Sequence, residues 1–179
     1  MLDHALERVR EREWSHPVLA GNVAVMNLVE ELHSIVAALA GAKIRYAVCG
    51  GVAVAIHGAI RATKDIDILL GREDVSRALD VVRSLGYQYA ALPMTFDPGT
   101  ARERHVQRVS KVVGQEHLLL DFLFAEAAFA GALDDRIEVQ LPTGPLAVVS
   151  RATLIRMKQL AARAQDVADL EKLEATDET

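Results

Sequence analysis

Asp65 and Asp67 stand two apart in the run Asp65-Ile66-Asp67-Ile68-Leu69-Leu70. On a β-strand that spacing sends both carboxylates to one face and Ile66 and Ile68 to the other. Two carboxylates so close repel each other, and a hard divalent cation with oxygen ligands is the usual compensation. Taken alone, the pair is better explained as a strand end whose aspartates meet water, because short acidic pairs are frequent. Two further features sharpen it. Gly50-Gly51 sits upstream between a strand and a helix, where glycines let backbone N–H groups approach phosphate oxygens and the helix dipole favours the anion; the plain alternative is a tight turn. Asp121 interrupts Leu118-Leu119-Leu120-Asp121-Phe122-Leu123-Phe124, where an ionised carboxylate is costly to bury alone. A metal shared with Asp65 and Asp67 would compensate it, and so would a buried arginine partner or an exposed edge position; the shared metal is favoured in the company of the other motifs.

The elements that must position these residues are legible from periodicity. Residues 2 to 13 read as a short charged helix broken around Ser15-His16-Pro17. A second helix starts near Asn22, with Val25, Leu28, Leu32, Ile35 and Leu39 on one apolar stripe. The period then changes: residues 44–49 read as a strand stopped by Gly50-Gly51, Val52 to His57 as a short helix, and residues 65–70 as a strand closed by Gly71. Val75, Leu79, Val82 and Leu85 mark the next helix, with Gly86 as its left-handed cap. Tyr87 to Leu92 reads as a strand, followed by a loop holding Pro93, Pro98 and Gly99. Residues 104–113 and 116–124 form a hairpin about Gly114-Gln115, and residues 137–141 and 146–149 a second about Pro142-Thr143-Gly144-Pro145. The chain closes in one helix from Arg151 to about Leu173, N-capped by Ser150. The expected fold is therefore α/β: a mixed central sheet with its acidic face on one side and helices covering the other, N-terminal helices over 1–42, the core over 43–149 and a long C-terminal helix over 150–179, all in one domain.

Composition agrees with that architecture. The chain has 179 residues, 51% hydrophobic but only 4% aromatic, so its core is built of Ala, Val, Leu and Ile, as in sheets covered by helices. A formal charge of -5 argues against a general nucleic-acid coat, which needs clustered cations. Cys49 is the one cysteine; no intrachain disulfide can form, which suits a reducing compartment, and Cys49 reads as core filler. Charges interrupt every apolar run at the N-terminus, and no segment is apolar for long enough to span a bilayer. The expectation is a soluble, cytoplasmic protein without membrane partners.

The combination Val48-Cys49-Gly50-Gly51, thirteen residues, then Asp65-Ile66-Asp67-Ile68, with Asp121 on a later strand, resembles the signature of the nucleotidyltransferase superfamily related to DNA polymerase beta. The longer string from Gly50 to Leu70 is similar to a small bacterial branch containing AbiEii-type toxins of toxin–antitoxin systems, in which His57-Gly58, Arg61 and Thr63 commonly accompany the acidic pair. Leu154 to Lys158, continuing to Arg163 and Asp166, is similar to that branch's final helix, although Gln165 stands where many relatives carry lysine. The resemblance implies a metal-dependent enzyme that moves a nucleoside monophosphate from a nucleoside triphosphate to an acceptor hydroxyl. Asp65, Asp67 and Asp121 would hold the metal, two Mg²⁺ ions with Mn²⁺ as a substitute, while Gly50, Gly51, Arg61, Thr63 and Lys158 would bind the nucleotide. A toxin-like enzyme acting on RNA or protein, with a cognate antitoxin as partner, stands ahead of an antibiotic-modifying enzyme acting on a small hydroxylated molecule. A noncatalytic nucleotide-binding or partner-binding module is the rival from another class. Arg61 is equally well explained by a surface salt bridge, and His57 better as a helix cap than as a catalyst. Arg102, Arg104, His105, Arg108 and Lys111 could contact an acceptor or triphosphate, but a charged strand edge guarded against aggregation accounts for them slightly better.

Overall fold

A computed structural model of the chain describes residues 28–59 and 62–175. The helix expected over residues 2–13, Arg61 and the start of the second helix lie outside the described residues. Helix α1, Leu28–Gly41, buries Leu32, Ile35 and Leu39 of the stripe read from the sequence and Val36 beside them, with Leu28 partly buried. Strand β1 is Tyr46–Val48, helix α2 Gly50–Ile56 and strand β2 Asp65–Leu70. After a 3-10 turn at Arg72–Asp74 comes α3, Val75–Arg83, which lies against α1. Gly86 does take a left-handed conformation, at φ 99°.

Strands β3, Tyr89–Ala90, and β4, Met94–Phe96, follow. Both pair with the outer side of β5, Arg104–Val113. The expected single strand over residues 87–92 is thus shorter, and the expected loop after it returns to the sheet. Pro93 lies between the two segments; having no N–H, it interrupts a ladder and is tolerated at an edge. The Gln107 side chain bridges the interruption by donating to the Ala91 carbonyl at 2.8 Å. Strand β6, Glu116–Phe124, completes the first hairpin, in which Gly114 takes φ 62°. β7, Ile137–Leu141, and β8, Gly144–Val148, form the second.

These strands make one mixed sheet in the order β3-β5-β6-β2-β1-β8-β7, with β4 beside β5. β2 runs parallel to β6 and β1 parallel to β8, and the other pairs are antiparallel. The sheet is flanked by helices, and its buried side chains, among them Ile66, Ile68, Leu120 and Phe122 at 0% exposure, are mostly aliphatic, with Tyr46, Gln107 and Asp121 buried among them. No helix among the described residues is long and apolar enough to cross a membrane.

The C-terminal helix, expected as one, is two: α4, Arg151–Ala161, and α5, Ala164–Ala175. Ser150 caps α4 as expected, accepting from Thr153 N at 3.1 Å. At the break Ala162 adopts φ 51°. Arg102 and Arg104 both donate to the Leu160 carbonyl, which the break leaves without a helical partner. Asp166 accepts from Arg163 N at 3.2 Å and so caps the start of α5. These side-chain bonds stand in for the helical bonds that an unbroken helix would have made.

Candidate active site

The parallel pairing of β2 with β6 sets Asp67 directly beside Asp121, with Asp65 level with Leu119. Paired residues on neighbouring strands project to the same face about 4.8 Å apart, so Asp65, Asp67 and Asp121 share one side of the sheet. The burial pattern of β2 agrees: both aspartates are half-buried, while Ile66 and Ile68 are fully buried on the other side. Asp121 itself is 8% exposed. Burial, then the charges of Asp121 and Asp65, push the Asp67 carboxyl up to about 6, against the opposing pull of Lys158 and Arg163.

Gly50 fits this carboxylate with no room to spare. It takes φ 59°, and a Cβ on it would lie 1.8 Å from Asp67 Oδ2. Only a residue without a side chain allows Asp67 to lie against the turn. The turn is tied to the same residue through the backbone, since Cys49 N donates to the Asp67 carbonyl at 2.9 Å. The Cys49 thiol is wholly buried, and burial raises its pKa well above the usual value, with Asp67 adding to the effect. It is an inert part of the core, as its type suggested.

The cations around the acids have specific partners. Arg108 grips Asp121 with two parallel hydrogen bonds, Nε to Oδ1 at 2.8 Å and Nη2 to Oδ2 at 2.7 Å. The hydrogen bonds to Asp121 raise the guanidinium's pKa further above its usual value. The arginine partner that had been the alternative to a metal for Asp121 is therefore present. Lys158 is 5% exposed and sits between two wholly buried acids of α5. Its Nζ donates to Asp166 Oδ1 at 2.9 Å and lies 2.8 Å from Asp169 Oδ2. Asp169 Oδ1 also accepts from Gln165 at 3.0 Å. Burial works against the Asp166 anion, but hydrogen bonds from Arg163 and Lys158 hold its pKa below the ordinary carboxylate value. Arg163 is fixed at one end by Asp166, Nε to Oδ2 at 2.7 Å, with 75% of its side chain exposed. Asp67 and Asp121 add to the rise in its pKa, behind the larger effect of Asp166.

Other sequence candidates have local roles here. Thr63 is half-buried and donates to the Asp65 carbonyl at 3.4 Å. His57 shares a 2.9 Å hydrogen bond with the Val149 carbonyl at the end of α2. Gly51 is buried in the first turn of α2. The cation-rich β5 is not an edge, for β3 and β4 cover its outer side. Its basic side chains have partners: Arg104, with Arg102 just before the strand, at the Leu160 carbonyl, His105 between Glu103 and Glu126 at 3.2 and 2.9 Å, and Lys111 on Glu31. Sequence reasoning named Asp166 only as part of the final helix's resemblance and missed Asp169 and the hold of both acids on Lys158. The signal was there, since Asp166, Asp169 and Leu173 recur at i, i+3 and i+7, so two carboxylates lie on the stripe that a helix buries.

The donor chemistry of the acidic face suits a hard divalent cation: three carboxylates, oxygen ligands only, with Asp67 raised by burial and by its neighbours' negative charge. As it stands, no three His, Cys, Asp or Glu side chains among the described residues are gathered closely enough to hold an ion. Both oxygens of Asp121 are engaged by Arg108, which stands on β5, while Asp67 stands on β2.

A family model described as "Uncharacterised nucleotidyltransferase" matches residues 2–155. No curated protein matches the sequence. Among solved structures, a candidate nucleotidyltransferase from Thermotoga maritima superposes with a TM-score of 0.57 at 13% identity, covering 83% of this chain and 92% of that one. ANT(2″)-Ia, solved in complex with adenylyl-2″-tobramycin, superposes with a TM-score of 0.52 at 16% identity, covering 83% and 88%. At such identities the likeness shows the fold: the mixed sheet and flanking helices are those of nucleotidyltransferases.

Proposed function

Because the chain belongs to this uncharacterised nucleotidyltransferase family, we propose that it transfers a nucleoside monophosphate from a nucleoside triphosphate to an acceptor hydroxyl, with release of pyrophosphate. The observation that carries the proposal is the register that sets Asp67 beside Asp121, with Gly50 against the Asp67 carboxylate. Asp65, Asp67 and Asp121 are the residues that would hold Mg²⁺. When bound, the metal supplies charge neutralisation of the triphosphate and of the leaving pyrophosphate. Gly50 and Gly51 give the triphosphate a side-chain-free approach to the acids, with Thr63 and Arg61 on the segment that leads into β2. Arg163, anchored by Asp166 and otherwise exposed, supplies the cation that meets phosphate oxygens. Lys158 acts from inside, its charge favouring the ionised form of Asp67.

The acceptor we propose is a hydroxyl on RNA or protein, as the resemblance to AbiEii-type toxins implies, with a cognate antitoxin to restrain it. A small hydroxylated molecule is the second reading, favoured by the fold shared with ANT(2″)-Ia, whose complex contains adenylylated tobramycin. The test incubates the protein with each α-labelled nucleoside triphosphate and Mg²⁺, in one arm with cell extract and in the other with aminoglycosides, and then locates the label. Transfer that Asp67→Asn abolishes is expected. Absence of labelled product with all four triphosphates in both arms would refute the enzymatic reading and leave a nucleotide-binding module.

A further inference from the structure

An acidic face that awaits a divalent cation must be neutralised by something until the cation arrives, and here the neutralising group is covalently part of the site. Arg108 faces Asp121 across the β5–β6 pair and takes both its oxygens. The two partners differ in access: the Asp121 side chain is 11% exposed and that of Arg108 is 39% exposed. Nε and Nη2 are committed to the carboxylate, and a guanidinium has five N–H donors in all, so it can meet a second anion while still near the first.

Charge arithmetic decides what this arrangement favours. A dication placed on Asp121 without nucleotide would have to share the carboxylate with a fixed positive charge, which repels it. A triphosphate reverses the balance, because it brings several negative charges and offers the guanidinium the bidentate oxygen geometry it prefers. Resting on the metal-dependent function proposed above, we infer that Arg108 is a resident counter-ion of Asp121 that makes divalent-cation binding depend on triphosphate: it withholds Asp121 from the metal alone and yields it when phosphate oxygens engage the guanidinium. Arg108 is thus a positioning residue, acting on the metal through Asp121.

The test measures Mn²⁺ binding to the metal-free protein by electron paramagnetic resonance of the free ion, with and without a non-hydrolysable triphosphate analogue, in the wild type, R108Q, R108K and D67N. Wild type should bind Mn²⁺ weakly alone and more tightly with the analogue. R108Q should bind Mn²⁺ alone on the order of tenfold more tightly than wild type, and the enhancement by the analogue should shrink by a like factor, since such coupling is reciprocal. R108K keeps the charge but not the bidentate grip and should fall between; it also carries the comparison if R108Q does not fold. If neither variant binds Mn²⁺ alone more tightly than wild type while D67N loses Mn²⁺ binding in the presence of the analogue, Arg108 is a strand-to-strand ion pair and the inference is overturned with the site intact. If D67N binds Mn²⁺ and the analogue as wild type does, the acidic site itself is misassigned and the inference falls with it.

Discussion

Replacing Asp67 by asparagine should make the metal-free protein more stable. The carboxyl is raised from its ordinary 3.8 to about 6 by burial and by Asp121 and Asp65, so at neutral pH the folded chain holds an anion that the unfolded chain would hold more comfortably in water. A group whose folded pKa is raised binds its proton more tightly when folded; its destabilising effect is complete above about pH 6 and fades as pH falls towards 3.8. Integrating between the two pKa values gives a cost of about 3 kcal/mol at pH 7 and roughly half that at pH 5. Asparagine has nearly the same volume as aspartate and no charge, so the Asp67→Asn variant is free of that cost. With about 2 to 4 °C per kcal/mol for a chain of this size, the variant should melt about 6 to 12 °C above wild type at pH 7 and about 3 to 6 °C above it at pH 5. The assay is a pair of melting curves in EDTA at each pH. With Mg²⁺ and a triphosphate analogue the order should move the other way, since binding to the folded state alone adds roughly 2.7 kcal/mol at 100 times the dissociation constant. A variant no more stable than wild type at pH 7 in EDTA, or an advantage that widens as pH falls, would refute the electrostatic crowding described for β2 and β6.

Gly50→Ala places a Cβ against Asp67 Oδ2 in a left-handed backbone; the conformation alone costs about 1 to 2 kcal/mol, and transfer activity should be lost with the displaced carboxylate. Wild-type turnover in that variant would show that Asp67 need not lie against the turn. Lys158→Met removes the lysine that both Asp166 and Asp169 meet, while Asp166 keeps Arg163, and urea denaturation should show a loss of about 3 kcal/mol; an unchanged midpoint would mean that Lys158 is not needed to compensate the two acids. Arg163→Ala removes a side chain that is 75% exposed, so its melting temperature should stay close to wild type while the dissociation constant for a triphosphate analogue rises on the order of tenfold, the scale of a charge-assisted hydrogen bond. An unaltered isotherm in calorimetry would place Arg163 outside the phosphate site.

Much of this site was readable from residue types and spacing. The bounds of β2, β5, β6 and β7 coincide with the sequence reading because Gly71 closes the first of them and the Gly114-Gln115 turn leaves the hairpin little freedom. Gly50 and Asp67 were singled out by residue type and spacing, and the Asp67 carboxylate does lie against Gly50. What could not be read depends on register across the sheet or between helices. That Arg108 rather than Arg104 meets Asp121 follows from the pairing of β5 with β6, which fixes every partner once the turn is set. The burial of Lys158 depends on α5 folding back onto α4, and Ala161-Ala162-Arg163-Ala164 carries no mark of a break, being composed of strong helix formers. The positive φ at Ala162 coincides with tertiary bonds at Leu160 and Arg163, and local propensity yields to them.

The Asp67–Asp121 alignment also bears on when the site comes into existence. Its two halves belong to strands that meet only after the intervening α3, β3, β4 and β5 have been made, and pairings between distant parts of a chain form late because the loop between them must first be closed. The buried Lys158 waits longer still, for Asp166 and Asp169 near the end of the chain. During synthesis the Gly50 turn and the Asp65-Asp67 strand therefore emerge as an incomplete half-site. The restraining arginine follows, then the third carboxylate that it grips, and last the acids that anchor Lys158 and Arg163, so whatever chemistry the site performs begins only once nearly the whole described chain has been built.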